Sequence, residues 1–312
     1  QVLIDVLTQL LPFIGYPLRP MEPSSDYVAV VVDEVPGVEA PRRVKVLVGV
    51  DAPTTDDERA LVAFHAPLRA VLMKVGVEPA RVLRAWEFTT RSAKSVRAPF
   101  EAMRQASVDA AAAGQLTVTV ERATPIGSGS LEVRGVVGGL PRFTKVTGEL
   151  ALDTSGLPLT VGVHQAPFRV VLPRVTAPYP IVIFGHGTGG TVFDDTFDTD
   201  IVGKGAAKLN LQYDGWTEST VLETLVGLDK RFTGSERSTG RLLQSLADAS
   251  AIEASLSGAL GDALSQPMVL GQQNPAAGVR EDPSKRVYAG GSLGGTLGFV
   301  HTLTEPSVRA SV

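Results

Sequence analysis

The sequence predicts an α/β fold: a doubly wound sheet in the second half of the chain, preceded by a small β-domain in the first. Three observations predict it. Short β-branched and apolar runs recur at residues 27–32 (YVAVVV), 116–120 (LTVTV), 131–137, 168–172 (FRVVL) and 179–184 (YPIVIF), each with the make-up of a strand. Two runs in the second half, 179–184 and 286–290, feed directly into glycine-rich turns. Between those turns, Leu242, Leu243, Leu246, Ile252, Leu256, Leu260 and Leu264 mark one apolar helix face, as a helix packed on a sheet requires.

Composition bounds the chemistry. The chain has 312 residues, 44% of them hydrophobic and 20% charged, enough for about two domains and too apolar for a disordered chain. The net charge of −4 and the lack of any Lys/Arg cluster give no footprint for nucleic acid. No cysteine is present, which excludes disulfides, Cys-ligated zinc, iron–sulfur clusters and thiol catalysis. Four histidines without an H-x-x-x-H spacing predict no transition-metal site, and no cofactor is expected. No run reaches the ~18 apolar residues of a membrane span, so no transmembrane segment is expected. The chain opens at Gln1, which predicts a processed or cut N-terminus. Residues 2–14 are broken by Asp5, Gln9 and Pro12 and lack a basic flank, so they do not read as an intact signal peptide.

The expected organisation is an N-terminal segment (1–19), a small β-domain with one helix (20–95), a connecting segment (96–129) and an α/β core (130–312). Residues 27–32 and 43–50 (RVKVLVGV) read as strands separated by a turn at Pro36-Gly37. Thr55 followed by Glu58 fits a capping box. Leu61, Phe64, His65, Leu68, Val71, Leu72 and Val75 then recur at helical spacing, with a kink expected at Pro67 and a stop at Gly76. Residues 82–90 (VLRAWEFTT) read as the closing strand. This block resembles the Ig-like β-domain that precedes the catalytic domain in certain bacterial extracellular lipases, where an exposed strand, a helix and a closing strand like Trp86-Glu-Phe88-Thr89-Thr90 recur. Residues 92–114 are Ala-rich and helix-favouring. His65 and His164 read as packed or otherwise satisfied side chains, His164 having no acidic partner at ligand spacing.

The first glycine turn is Gly185-His186-Gly187-Thr188-Gly189-Gly190. Gly185, Gly187 and Gly190 satisfy the G-x-G-x-x-G dinucleotide spacing. The residues after Gly190 oppose that use, because Asp194, Asp195, Asp198 and Asp200 would repel a pyrophosphate. Those aspartates could also offer oxygen ligands to calcium, although their spacing matches no EF-hand and a solvated loop is the usual alternative.

The second turn is more specific. Gly290-Gly291-Ser292-Leu293-Gly294 is G-x-S-x-G, set between a strand (286–290) and a helix (294–300). The spacing has a mechanical reason. A serine at the tip of a strained strand-to-helix turn projects its hydroxyl from the sheet, and small residues two before and two after let the chain reverse. The following helix then aims its N-terminal N–H groups at a reacting carbonyl.

With both turns in this order, residues 130–312 resemble the N-terminal part of an α/β-hydrolase. Within that superfamily they are similar to bacterial lipases and esterases carrying an N-terminal Ig-like domain. The resemblance implies a secreted or cell-surface bacterial enzyme acting on ester or lipid substrates. It implies Ser292 as nucleophile, with Leu293 and Gly187 or Thr188 donating backbone N–H groups to the oxyanion. Gly290, Gly294 and His186 support the motif.

The pattern breaks after the nucleophile. The resemblance places an acid and a histidine downstream, yet only Glu305 and His301 follow Ser292. On a regular helix, His301 lies roughly 13 Å along the axis and half a turn away from Ser292. The acid and base are therefore expected outside this chain, in a missing C-terminal part, or in a second chain or fragment that completes the domain. The alternative expectation is a non-catalytic surface or assembly protein built on a degenerate hydrolase fold.

Overall fold

The computed structural model describes residues 21–32, 38–228 and 231–312. The chain divides into two compact units, residues 1–96 and 97–312. The expected 1–19 segment and the Pro36-Gly37 turn lie outside the described residues.

In the first unit β1 (Asp26–Val32) is followed by α1 (Arg42–Val48), α2 (Asp56–Phe64), α3 (Ala66–Lys74) and β2 (Val82–Thr89). β1 and β2 pair antiparallel, from Asp26 opposite Thr89 to Val32 opposite Val82. The helices close over this ribbon through Val44, Val48, Leu68, Leu72 and Val82. The expectation of an Ig-like domain is corrected here: the described residues hold one two-stranded sheet and three helices, whereas a sandwich needs two packed sheets.

The correction turns on residues 43–50. Their alternation reads as a strand, but Arg42–Val48 coil into α1 and bury Val44, Val46, Leu47 and Val48. Gly49 closes the helix in the left-handed region (φ 90°). The Arg69 guanidinium, from α3, then donates to the carbonyls of Leu47 (2.7 Å) and Val46 (3.1 Å) in the last turn. The expected kinked helix is two helices, α2 and α3, meeting at His65, with Pro67 in the first turn of the second. Thr55 caps α2 by accepting from the Glu58 N–H (3.2 Å), while the Glu58 carboxylate reaches the Thr54 N–H, one residue short of a regular capping box.

The second unit follows on α4 (Ala93–Ala112). β3 (Thr117–Ile126), β4 (Ser130–Arg142) and β5 (Gly162–Leu172) form an antiparallel meander. Then come β6 (Tyr179–Gly185), α5 (Asp198–Gly203), β7 (Ala207–Leu211), α6 (Val221–Leu228), α7 (Arg231–Ser255) and α8 (Ala259–Leu264). A small β8–β9 ribbon (Met268–Val269, Gln272–Gln273) precedes β10 (Glu281–Gly290), α9 (Leu293–Thr304) and β11 (Val308–Ser311). The seven-stranded sheet runs β11-β10-β6-β7-β5-β4-β3. Its β11, β10, β6 and β7 are parallel to one another, joined by helical crossovers, and β5 joins β7 antiparallel. The sheet is therefore mixed rather than uniformly doubly wound, because β3, β4 and β5 are linked by turns instead of crossover helices. Leu131, Val133, Phe168, Val170, Ile181, Ile183, Leu209, Ile252 and Leu256 form its main core.

The register positions the site. Gly290 lies opposite Gly185, and Gly185 opposite Leu211, so β10, β6 and β7 end level with one another. In open α/β sheets, ligands bind beyond the carboxyl ends of the parallel strands. Both glycine turns emerge at that edge.

Candidate active site

β10 passes through Gly291 and Ser292 directly into α9. Ser292 sits at the helix N-cap with φ 53° and ψ −116°, a region that a residue with a Cβ enters only under strain. Its side chain is exposed. The tightness of the turn explains both flanking glycines. A Cβ on Gly294 would collide with the Gly185 carbonyl, and one on Gly290 would stand 2.7 Å from the Gly294 carbonyl carbon. The first glycine loop lies alongside, since a Cβ on Gly187 would sit 3.5 Å from the Ser292 Cβ.

His186 holds that loop in place. It is 1% exposed. Its Nδ1–H donates to the Gly187 carbonyl at 2.7 Å, and its Nε2 accepts the Tyr213 N–H at 3.0 Å. Those two bonds fix one neutral tautomer. Burial pushes its pKa down, against the Gly187 bond that pulls it up. The Gly187 carbonyl also accepts the Gly190 N–H (3.0 Å), and the Gly189 N–H donates to the Trp216 carbonyl (2.8 Å). Among the described residues the N–H groups of Gly187, Thr188 and Leu293 donate to no protein acceptor. The three residues named from sequence as donors thus flank the Ser292 turn with donors unspent.

Beneath the turn lies a support that the sequence motif did not reveal. The Tyr288 hydroxyl donates to the Gly294 carbonyl (2.8 Å), so Tyr213, 2.5 Å away, must donate to Tyr288. Gly185 has no room for a side chain because both hydroxyls crowd it, and Gly298 lies flat on the Tyr288 ring. Burial pushes Tyr288 up to about 12 and Tyr213 well above its ordinary value, so both are neutral donors. A glycine four residues after Gly294 and a tyrosine four before Ser292 are the sequence traces of this layer.

The histidines are committed elsewhere. His301 is fully buried on α9 and bonds Glu253 through Nε2 at 2.9 Å. His164, which the sequence reads as a packed or satisfied side chain, meets Asp248 through Nε2 at 2.9 Å, a partner 84 residues away rather than at local spacing. His65 lies in the first unit, 3.4 Å from Glu87. Among the described residues, Ser292 Oγ has no imidazole or carboxylate at hydrogen-bond distance.

The acidic loop is organised by cations of its own chain. Asp198 pairs with Arg169 (2.5 Å) and Lys208 (2.9 Å), both essentially buried. Lys208 also donates to the Asp194 carbonyl (3.0 Å). Among the described residues no cluster of three or more His, Asp or Glu is arranged to hold a metal ion. No described helix is long and apolar enough to cross a membrane.

No protein-family model matches the chain, and no curated protein matches its sequence. Solved structures similar to it include acetyl xylan esterase 1 from a Thermoanaerobacterium species, at 14% identity and TM-score 0.41, covering 68% of this chain and 56% of that one. An acetyl xylan esterase from a Paenibacillus species is 14% identical with TM-score 0.39, covering 68% and 57%. A glucuronoyl esterase from Teredinibacter turnerae is 14% identical with TM-score 0.33, covering 63% and 44%. The chain spans a little over half the length of the two acetyl xylan esterases. Likenesses this distant carry no functional assignment.

Proposed function

We propose that the second unit is the core of an α/β-hydrolase-type serine hydrolase of carboxylic esters, with Ser292 as the nucleophile. The observation that carries this reading is the backbone of Ser292, held at φ 53° and ψ −116° between a strand and a helix. Strain of this kind persists where the surrounding structure enforces it, typically at functional sites, and here it presents one exposed hydroxyl at the binding edge of the sheet.

In the proposed reaction Ser292 Oγ attacks the acyl carbonyl as a base takes its proton. The carbonyl oxygen becomes an oxyanion and is held by the N–H groups of Leu293 and of Gly187 or Thr188, each donor worth about 3–4 kcal/mol to the transition state. Collapse breaks the C–O bond to the alcohol, which leaves with the proton returned by the base. Water, deprotonated by the same base, then attacks the acyl-enzyme and frees the acid and Ser292. His186 keeps the loop in shape and takes no proton, since both its nitrogens are occupied. The base and its orienting acid are proposed to come from outside the described residues, on a further segment or a second chain. An extracellular or cell-surface setting and an ester or lipid substrate belong to the same proposal.

A second reading, a non-catalytic surface or assembly protein, is favoured by one observation: none of the four histidines bonds Ser292. One experiment separates the two. Protein purified from its native source is treated with a fluorophosphonate, and the adduct is mapped by peptide mass. An adduct on Ser292 supports the hydrolase, and its absence in folded protein overturns it.

A further inference from the structure

A cleft opens between β4, β5 and α7, with a volume of about 430 Å³. That volume lies within the usual range for small-molecule sites. Its walls mix small apolar side chains with polar ones and are unevenly charged. The charged groups lining it are Arg142, Lys145, Arg241, Asp214, Asp248 and His164. Asp248 is spent on His164 (2.9 Å) and on the Gln244 amide (2.9 Å). Asp214 accepts the Gly215 N–H, and Arg241 lies 3.6 Å from Glu223. Arg142 and Lys145 have no carboxylate partner among the described residues, and the Arg142 Nε–H is buried without an acceptor. Two further lining side chains, Gln165 and Gln212, offer amides that make no hydrogen bond to described residues.

A half-buried guanidinium without an anion is costly unless a ligand completes it, and its planar fork suits an oxyanion. The free amides suit hydroxyl groups. The apolar side chains of the lining, Val146, Ala166 and Pro167, are few and small beside its charged and amide groups. We propose that this cleft binds a small hydroxylated organic acid. Arg142 and Lys145 hold its carboxylate. His164, fixed by Asp248, and the two glutamines meet its hydroxyls. This site is distinct from the Ser292 turn and does not depend on ester hydrolysis.

The test is calorimetric titration of the folded full chain with gluconate, with sorbitol, which has the same hydroxylated chain without the carboxylate, and with inorganic phosphate. Gluconate binding with no sorbitol heat is expected. Arg142→Gln is expected to weaken gluconate by about 10- to 100-fold, the effect of losing a charge-assisted hydrogen bond. Lys145→Gln, at an exposed position where folding is not at stake, weakens it in the same direction, and Ser292→Ala leaves it unchanged. Equal binding of gluconate and sorbitol, or phosphate binding as tightly as gluconate, overturns the assignment to an organic acid. Failure of gluconate to bind, or binding indifferent to both variants, overturns the site.

Discussion

The hydroxyls of Tyr213 and Tyr288 lie 2.5 Å apart at the end of β6, and the second donates to the carbonyl of Gly294, the residue whose N–H closes the Ser292 turn on the Gly291 carbonyl. The order of donation makes the two residues unequal. Tyr288→Phe leaves the Tyr213 hydroxyl without a partner inside the core and takes the second donor from the Gly294 carbonyl, which keeps its place in the helical ladder. Tyr213→Phe removes only the outer donor. A buried polar group left unpaired costs about 1–3 kcal/mol. Urea denaturation should therefore place Tyr288→Phe below Tyr213→Phe in stability, by about 1 kcal/mol or more. Equal losses would refute the directional chain.

Gly298 has no backbone reason to be glycine, since it sits within α9. Its reason is the Tyr288 ring, which occupies the place where a Cβ would go. Alanine raises intrinsic helix propensity by about 1 kcal/mol, yet here it must displace a fully buried aromatic ring. Gly298→Ala is expected to destabilise by about 1–3 kcal/mol net. A neutral or stabilising result in thermal unfolding would show that α9 can lift from β10.

Ser292 carries strain that a glycine would not feel. Ser292→Gly should be more stable than Ser292→Ala by about 1–3 kcal/mol, because only the glycine relaxes at φ 53°. Both variants should lose all fluorophosphonate labelling. Identical melting curves for the two would remove strain as a property of this turn.

How much of the fold and site was legible in the sequence depended on range. The G-x-S-x-G turn declares itself within five residues because its cause is local: a reversal that admits no Cβ at Gly290 or Gly294. Strand runs such as 179–184 were legible for the same reason, their burial being continuous. Residues 43–50 misled, because R-V-K-V-L-V satisfies a period of two, while Gly49 and the distant Arg69 decide for a helix. His164 and Asp248 meet across 84 residues, and Tyr213 and Tyr288 across 75, so no local spacing could report them. The Ig-like resemblance rested on an exposed strand, a helix and a closing strand, which a two-stranded ribbon packed on helices also supplies.

His186 provides a pH-dependent signature of the loop it anchors. Burial lowers its pKa in the folded protein, so the unfolded chain binds its proton more readily. Its contribution to stability is complete above the unfolded value of about 6.5 and is lost as pH falls from there toward the folded value. Glutamine at this position cannot titrate. The loss of stability from pH 7 to pH 5 should be shallower for His186→Gln than for the wild type, measured by denaturant titration at each pH. A steeper loss in the variant would mean that His186 is charged in the folded state.

Two buried acids should answer pH in opposite senses. Burial works against ionisation of Glu253, but His301, Ser307 and Arg286 outweigh it and its pKa falls. The stability it contributes is present above its unfolded value of about 4.3 and disappears as pH drops through the lower folded value. Glu253→Gln leaves Arg286 with Glu281 (2.5 Å) as its remaining carboxylate and weakens the bonds from His301 and Ser307, so it should cost about 1–3 kcal/mol at pH 7. For Asp248 burial prevails over His164 and Gln244, and its pKa rises. The charged form is then the less favourable one in the fold, and stability is lost as pH climbs from its unfolded value of about 3.9 through the raised folded value. Asp248→Asn keeps the oxygen that meets His164 and Gln244 while discarding the charge. It should melt higher than the wild type at pH 7, with the gap closing as the medium is acidified. A gap that widens on acidification would mean that the His164 pair, not burial, governs Asp248.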